Sequence, residues 1–302
     1  MTADLTSALA GISGILITPF DGEDRIAPAR LAPIIDRAIR AGVHILVVNG
    51  NTGEFYGLSI EEAEAMAHAV VEAVGGRVPV VAGVGRSIGD AVRLTGAARA
   101  AGASAVMVHQ PPDPFVAPRG VVAYVRRVAE AADGLPVILY LRNDAIGIDA
   151  IAELSAVEGV VGVKWATPNP MRLAAAMAAS RPGIAWVGGL AETWAPPLYA
   201  LGARGFTSGL INVWPERSVA IHAALAAGKY EEANRLIGGM KAFEEVRAEE
   251  QNGTNVSAVK AALALMGVDC GPVRPPSAWP LTPQQTERLR QFMTDNGLVG
   301  TR

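Results

Sequence analysis

Eight short apolar runs, rich in Val and Ile, recur along the chain and constrain its fold more than any other feature. Consecutive runs start roughly 20–35 residues apart, which is the length that a strand, a crossover helix and the next strand require. Near-continuous apolar strands are typical of a parallel sheet, because other elements cover both of its faces. The expected strands are Ile12–Thr18, Ile45–Val48, Val78–Ala82, Ala105–His109, Val137–Tyr140, Val160–Lys164, Ala185–Val187 and Gly205–Ser208.

Segments with helical signals separate these runs. Ser59 and Glu62 form a predicted capping box, in which each side chain accepts a hydrogen bond from the other residue's backbone N–H. The periodic stretches Ala91–Ala101 and Gly120–Ala132 both end close to a glycine, as helices often do. Eight strand-then-helix units favour a closed (β/α)8 barrel, or TIM barrel, of the α/β class over an open doubly wound sheet.

The end of the chain lacks strand signals and predicts a helical extension. We expect residues 1–228 to form the barrel and residues 229–302 to form a C-terminal helical region. Gly271–Pro280 contains four prolines and is predicted to be a stiff connector. The expected helices are Tyr230–Ala248, Val256–Leu265 and one that opens at Thr282, with Pro283 at its first position and Gln285 at its third.

Composition and charge exclude several function classes. The chain has 302 residues, with 26 Lys and Arg against 29 Asp and Glu, so nucleic acid and anionic membrane surfaces are not expected partners. Its apolar runs are too short to span a bilayer, and its first residues lack the pattern of a signal peptide. Cys270 is the single cysteine, which favours a reducing, cytoplasmic location. The four histidines show no metal-binding spacing, so no protein-held metal is expected.

Polar residues at the carboxyl ends of the strands are the candidates for chemistry, because barrel active sites form there. Lys164 closes an apolar strand, where burial favours the neutral amine that attacks a carbonyl. The alternative is a lysine whose head group reaches solvent at the rim. Tyr140 ends the neighbouring strand and could transfer protons. His109 is either an acid–base group or a structural histidine.

The turn Gly50–Glu54 follows the second strand and is a candidate anion site. Its two glycines allow successive backbone N–H groups to converge on a carboxylate or phosphate, and Thr52 adds a hydroxyl. An ordinary tight connection is the alternative. A different enzyme class would bind phosphate through Gly188, Gly189 and the loop after Ser208, since loops after strands seven and eight often do so, and would give the lysine no covalent role.

Four strings resemble the dihydrodipicolinate synthase / N-acetylneuraminate lyase family of class I aldolases, in that family's order and spacing. They are Gly14–Phe20 (GILITPF), Gly50–Glu54 (GNTGE), Pro136–Tyr140 (PVILY) and Val161–Lys164 (VGVK). The resemblance extends over essentially the whole chain. It implies a barrel lyase that binds a small 2-oxo acid substrate as a Schiff base without a cofactor. It also implies a homotetramer built as a dimer of dimers.

The resemblance also implies roles for individual residues. Lys164 would condense with the C2 carbonyl of the substrate, and Tyr140 would transfer protons. In the turn that Gly50 begins, Thr52 and the backbone N–H groups of Asn51 and Thr52 would hold the substrate carboxylate. Gly189 and Thr207, at the ends of the seventh and eighth strands, are expected to lie at the same site.

Departures from the family pattern separate its branches. The synthase branch resembles a relay of two tyrosines and a threonine, but here Asn51 takes the threonine position and His109–Pro112 contains no tyrosine. Tyr140–Ile146 (YLRNDAI) and Gly205–Pro215 (GFTSGLINVWP) look more like the sugar-acid dehydratases, such as 5-dehydro-4-deoxyglucarate dehydratase. This similarity predicts dehydration or aldol cleavage of a 2-keto-3-deoxy sugar acid.

Three further residues are expected to bind such a substrate. Arg142 would meet a distal carboxylate as a charge-assisted fork, and Asn143 and Ser208 would hydrogen-bond hydroxyl groups. The alternative for Arg142 is a rim residue paired with Asp144 or Glu192. The alternative activities are 4-hydroxy-tetrahydrodipicolinate synthase or another pyruvate-dependent aldolase, and a non-catalytic regulator that binds a 2-oxo acid.

Overall fold

The computed structural model describes residues 2–113 and 115–299, with side chains from Leu5 onward, and contains eight strands. They are β1 (Ile12–Ile15), β2 (Ile45–Val48), β3 (Val80–Val84), β4 (Ala105–His109), β5 (Val137–Leu141), β6 (Val160–Trp165), β7 (Ala185–Gly188) and β8 (Gly205–Ser208). Each strand pairs in parallel with the next, and β8 pairs with β1, so the sheet closes into a barrel. The predicted fold class, a TIM barrel with C-terminal helices, is confirmed.

Strand bounds differ from prediction mainly at β1 and β3. Three strands, β2, β4 and β8, have the predicted bounds. The β3 strand begins at Val80 rather than Val78, because Pro79 has no N–H to give to the ladder. The β1 strand ends at Ile15 rather than Thr18. Beyond it, the backbone N–H of Ile17 donates to the side chain of Asn212 at 3.3 Å instead of to a neighbouring strand.

Thirteen α-helices accompany the strands in the described part of the chain. They are α1 (Thr2–Leu9), α2 (Ala32–Ala41), α3 (Ile60–Val74), α4 (Ile88–Ala101), α5 (Pro118–Ala132), α6 (Ile148–Ala156), α7 (Pro170–Ala179), α8 (Ala195–Leu201), α9 (Pro215–Ala226), α10 (Tyr230–Gly238), α11 (Lys241–Asn252), α12 (Asn255–Leu265) and α13 (Pro283–Asp295). The capping boxes at Ser59 and Thr282 are both present. None of the described helices combines the length and hydropathy needed to cross a bilayer.

The prediction of one helix over Tyr230–Ala248 is wrong. The α10 helix stops at Gly238 and α11 starts at Lys241, because Gly238 and Gly239 together weaken the helix at that point. The α11 backbone also leaves helical geometry at Glu249–Gln251. The domain division at residues 228 and 229 stays a prediction.

The α1 helix closes the barrel at the end where the strands begin, and no pattern in the sequence predicts it. Leu5, Ala8 and Leu9 are buried and pack with interior side chains such as Ile15 and Val81. A helix of eight residues has little stability of its own, so these tertiary contacts must hold it. The barrel is therefore filled at one end and open to ligands only at the other.

Candidate active site

A cavity of about 580 Å³ lies at the carboxyl end of the strands. Strands and the loops after them supply one side of it, including Ile15, Asn51, Thr52, Tyr140, Arg142, Lys164, Gly189 and Thr207. The C-terminal helices α11 and α12 supply the opposite wall, with Lys241, Glu244, Glu245, Arg247, Ala248, Asn252 and Asn255. The sequence patterns did not indicate that the C-terminal region would reach this site.

Lys164 is the buried amine of the cavity. Its side chain is 5% exposed, so the head group does not reach solvent in the way that a rim lysine would. Strand register sets it directly beside Tyr140, and its Nζ lies 3.8 Å from the centre of the Tyr140 ring. Burial, and then the positive charge of Arg142, lower the pKa of Lys164 to about 7. A large share of the amine is therefore neutral and nucleophilic near pH 7.

Tyr140 has one hydrogen-bond partner at its hydroxyl. The Asn51 amide Nδ2 donates to the phenol oxygen at 3.1 Å, and burial raises the pKa of Tyr140 to about 12. Because this amide nitrogen only donates, the phenol keeps its own hydrogen available for a ligand. Tyr140 and Asn51 together can polarise a bound group. A threonine in place of Asn51 could pass a proton onward through its hydroxyl, but the Asn51 amide nitrogen cannot.

The Gly50–Glu54 turn is held in place from three sides. A Cβ on Gly50 would lie 2.5 Å from the Ile15 side chain, so only glycine fits there. The Thr18 hydroxyl donates to the Gly53 carbonyl at 2.6 Å. Glu54 has a positive φ of 55° and accepts from the Lys260 ammonium and from the Arg274 backbone N–H, both at 2.7 Å. The C-terminal region thus fixes the turn through a buried ion pair.

Gln110 holds the loop after β5 and was missed by the sequence analysis. Its Oε1 accepts from the backbone N–H groups of Arg142 and Asn143, both at 2.7 Å, and its Nε2 donates to the Asn143 carbonyl at 2.9 Å. In the sequence, the feature that could have indicated Gln110 is its position directly after the end of β4. This clasp orients Arg142, whose side chain lines the cavity. Asp144, the alternative partner considered for Arg142, pairs with Arg172 at 3.3 Å.

Asn143 and Ser208 are directed away from the cavity lining. The Asn143 Oδ1 accepts from the Ala145 backbone N–H at 2.9 Å and begins a short 3-10 helix. The Ser208 hydroxyl donates to Glu192 Oε1 at 2.5 Å, and the Ser218 hydroxyl donates to the same oxygen at 2.5 Å. Neither side chain is placed to contact a substrate hydroxyl as the sequence analysis had expected.

Glu192 is fully buried beside the loop after β8. Burial, and then the negative charge of Glu244, hold the pKa of Glu192 above its usual range. Its contacts are with the two serine hydroxyls rather than with Arg142. Because the Ser208 hydroxyl already donates its hydrogen to Glu192, it has none left for a phosphate, which disfavours the phosphate alternative.

His109 fits the structural alternative. Its Nε2 donates to the Asn49 carbonyl at 2.9 Å, and its ring stacks on Phe55 with 4.4 Å between the ring centres. Burial, and then the charge of Lys164, lower the pKa of His109 to about 3, so the ring is neutral at physiological pH. The ring is fully buried behind Tyr140 and does not line the cavity.

Glycine at position 189 makes room for the lysine. A Cβ there would lie 2.7 Å from the Ala166 Cβ and 3.0 Å from the Lys164 Cγ.

The structure brings together seven of the predicted site residues in one cavity, namely Asn51, Thr52, Tyr140, Arg142, Lys164, Gly189 and Thr207. Gly50 supports the turn from behind the cavity.

Comparison with known proteins agrees with the fold and the site. The model of the dihydrodipicolinate synthetase family matches residues 8–295. A probable 5-dehydro-4-deoxyglucarate dehydratase 1 of Streptomyces coelicolor is 36% identical over 251 residues, which cover 80% of this chain and 79% of that protein. The 4-hydroxy-tetrahydrodipicolinate synthase of Pseudomonas aeruginosa is 32% identical, with 96% of this chain and 99% of that protein covered.

Among solved structures, dihydrodipicolinate synthase from Oceanobacillus iheyensis superposes with a TM-score of 0.93. The two chains are 37% identical, and the superposition covers 98% of this chain and 99% of the other. The family match spans the barrel and the C-terminal helices, including both sides of the cavity. The chain therefore belongs to the dihydrodipicolinate synthetase family, and the enzyme class predicted from its sequence, a carbon–oxygen or carbon–carbon lyase, is confirmed.

Proposed function

We propose that this lyase dehydrates or cleaves a 2-keto-3-deoxy sugar acid through a Schiff base on Lys164. The observation that carries the proposal is the buried amine of Lys164, 3.8 Å from the Tyr140 ring centre, in a cavity that also contains the Thr52 turn. The similarity to a probable dehydratase of a glucarate derivative supports this substrate class.

The chemistry follows from the neutral amine. Lys164 Nζ adds to the C2 carbonyl and water leaves, so that an iminium forms and withdraws electrons from C3. Loss of a C3 proton gives an enamine. The enamine expels the C4 hydroxyl as water, with Tyr140 as the nearest proton donor to a departing oxygen, and hydrolysis of the new iminium restores the lysine. In the cleavage alternative the C4 hydroxyl of the iminium adduct loses its proton, the C3–C4 bond breaks, and C4 leaves as an aldehyde while the electron pair of the bond forms the enamine. Protonation of the enamine at C3 and hydrolysis of the resulting iminium then restore the lysine.

We propose which cavity residues bind each end of the substrate. The Thr52 hydroxyl and the N–H groups of Asn51 and Thr52 are proposed to bind the C1 carboxylate. Arg142, which lines the same cavity and whose charge acts on Lys164, is proposed to meet the distal carboxylate of a dicarboxylic sugar acid. Thr207 and Gly189 also line the cavity and are proposed to contact the chain of the substrate.

A synthase-type condensation is the second candidate, favoured by full-length similarity to the Pseudomonas synthase. Condensation there would need proton transfer beyond Tyr140. In this chain Asn51 Nδ2 donates to the phenol and offers no hydroxyl to continue a relay. For this reason we place synthase activity below the dehydratase-like activity.

Borohydride trapping tests the proposal. The protein is incubated separately with pyruvate and with a panel of 2-keto-3-deoxy aldonic and aldaric acids, reduced, and digested for mass spectrometry. We expect an adduct on Lys164 with the 2-oxo acids, and turnover with at least one sugar acid of the panel. Absence of any adduct on Lys164 would overturn the Schiff-base proposal. An adduct without turnover on the whole panel would favour the regulator alternative, and rapid condensation of pyruvate with aspartate semialdehyde would favour the synthase.

Replacing Arg142 tests how the distal carboxylate is bound. In Arg142→Ala we expect kcat/KM for an aldaric substrate to fall about 10- to 100-fold, because a charge-assisted fork is lost. The matching aldonic substrate, which lacks the distal carboxylate, should change much less. The Arg119→Ala variant, an exposed arginine on α5 away from the cavity, is the control. Equal losses for both substrates would show that Arg142 does not select for the second carboxylate.

We also propose an assembly, a location and a domain division for this protein. A homotetramer built from dimers rests on the resemblance alone. A cytoplasmic location rests on the single cysteine, which is buried as a free thiol in the structure. The division into a barrel over residues 1–228 and a helical region over residues 229–302 rests on the change of pattern after α9.

A further inference from the structure

Arg247 of α11 is a buried cation in the wall of the cavity that contains Lys164. The residue is 7% exposed, and it reaches the cavity from the C-terminal region rather than from a barrel strand. None of the strand-end patterns leads to it. A guanidinium kept in such a place stays charged, so it must be paired or used.

Two neighbours orient the Arg247 guanidinium. Its Nη1 donates to Glu244 Oε1 at 2.5 Å, and its Nε and Nη2 donate to Asn255 Oδ1 at 3.0 and 2.6 Å. These contacts use three of its five N–H groups, which leaves one N–H on each terminal nitrogen. These two remaining N–H groups can donate hydrogen bonds to a carboxylate.

The Arg247 guanidinium lies near Thr52 in the cavity wall. Nη2 packs against Gly209 at the place where a Cβ would be, so glycine is required there for the arginine to enter. The Thr52 hydroxyl oxygen lies 3.4 Å from this hypothetical Cβ position of Gly209. The Thr52 hydroxyl and the Arg247 Nη2 are therefore less than twice 3.4 Å apart. Thr52, Gly209 and Arg247 all line the cavity.

We propose that Arg247, positioned by Glu244 and Asn255, binds the C1 carboxylate of the 2-oxo acid together with Thr52. This inference rests on the proposed function, because it assumes that a 2-oxo acid reacts at Lys164. It adds to the turn a charged partner from a separate part of the chain. The carboxylate would then lie between backbone N–H groups on one side and a guanidinium on the other.

A purely structural role for Arg247 predicts something different. In that case the arginine joins α11 to α12 through Glu244 and Asn255, and its loss would disturb every ligand of the cavity alike. A carboxylate-binding role predicts an effect that depends on the charge of the ligand. Pyruvate and its uncharged amide, pyruvamide, have the same size and the same C2 carbonyl, so they separate the two roles.

The experiment measures the concentration of each probe that gives half-maximal trapping on Lys164 by borohydride. In Arg247→Met we expect this concentration to rise about 10- to 100-fold for pyruvate and less than about 3-fold for pyruvamide. Arg247→Lys should recover part of the pyruvate affinity, because it restores the charge without the fork. Arg290→Met, an exposed arginine on α13 outside the cavity, is the matched control and should leave both values unchanged.

Equal changes for the two probes, or no change for either, would overturn the proposal. If Arg247→Met does not fold because Glu244 loses its partner, the double variant Arg247→Met/Glu244→Gln removes both charges and is judged by the same comparison. Ligand-observed NMR with pyruvate and pyruvamide runs in parallel and needs no Schiff base. An unmodified Lys164 with charge-selective, Arg247-dependent binding would therefore contradict the proposed chemistry and leave the carboxylate site standing.

Discussion

The Lys164→Met variant is expected to lose turnover by roughly 10⁴-fold or more, as when other enzymes lose their covalent nucleophile. Methionine keeps the length of the side chain and removes the amine, so no iminium can form at C2. Adduct formation on residue 164 should be abolished with every 2-oxo acid. In the wild-type protein, kcat/KM should rise through an acid limb near pH 7, where the Lys164 amine loses its proton, rather than near 10.5.

The same variant should be more stable than the wild-type protein at neutral pH. Burial lowers the pKa of Lys164 from 10.5 to about 7, so between these values the unfolded chain binds a proton that the folded chain does not. Wild-type stability therefore rises with pH across this window. Methionine has no such penalty, and we expect a gain on the order of a few kcal/mol in the free energy of unfolding at pH 7, which shrinks as the pH approaches 10.

Urea unfolding at several pH values, run beside steady-state kinetics, measures both effects. The Lys229→Met variant is the control, because Lys229 is exposed and forms only a loose 3.8 Å pair with Glu232. It should keep wild-type kinetics and a wild-type dependence of stability on pH. Substantial turnover by Lys164→Met would contradict the covalent mechanism. A loss of stability at pH 7 would contradict the lowered pKa of the buried lysine.

Breaking the ion pair between Glu54 and Lys260 should have the largest effect on stability. Their side chains are 1% and 4% exposed, and the charged atoms lie 2.7 Å apart. In Lys260→Met the Glu54 carboxylate remains buried without its cation, which costs about 3–5 kcal/mol in comparable cases. Because Glu54 ends the turn that we propose binds the substrate carboxylate, the concentration of pyruvate needed for half-maximal trapping on Lys164 should rise as well.

A second substitution separates the loss of the pair from the loss of lysine packing. The double variant Glu54→Gln/Lys260→Met buries no charge, and we expect it to recover more than half of the stability lost by the single variant. Lys229→Met removes an exposed pair and should cost less than about 1 kcal/mol. The free energy of unfolding comes from urea titration at pH 7. If Lys260→Met and Lys229→Met cost the same, the buried pair does not hold the turn.

The barrel was predictable because its signal repeats. Each apolar run is weak evidence for a strand, but eight of them at the spacing of crossover units leave few architectures open. The predicted bounds were wrong where a local or tertiary effect overrode the repeating pattern. Pro79 moved the start of β3 to Val80 because it lacks an N–H, and a pair of glycines divided the helix expected over Tyr230–Ala248. The α1 helix forms through contacts inside the barrel that no local pattern encodes.

The part of the site on strand ends was predictable for the same reason. Lys164 and Tyr140 are adjacent because their strands are adjacent and in register, which an eight-strand order implies. Side-chain direction was not predictable in the loops, where Asn143 caps a turn and Ser208 binds Glu192. Arg247 lies 83 positions beyond Lys164, and only the packing of α11 over the barrel mouth brings the two into one cavity.

The position of α11 across the barrel mouth has a consequence for how such a protein diversifies. Lys164, the proposed nucleophile, and its strand neighbours lie in one stretch of the chain, and the opposite wall of the cavity lies in another. Mutations or recombination in the second stretch can reshape the binding surface while Lys164 stays unchanged. Exchanging α11 and α12 between relatives is therefore a practical route to new substrate preferences in the laboratory.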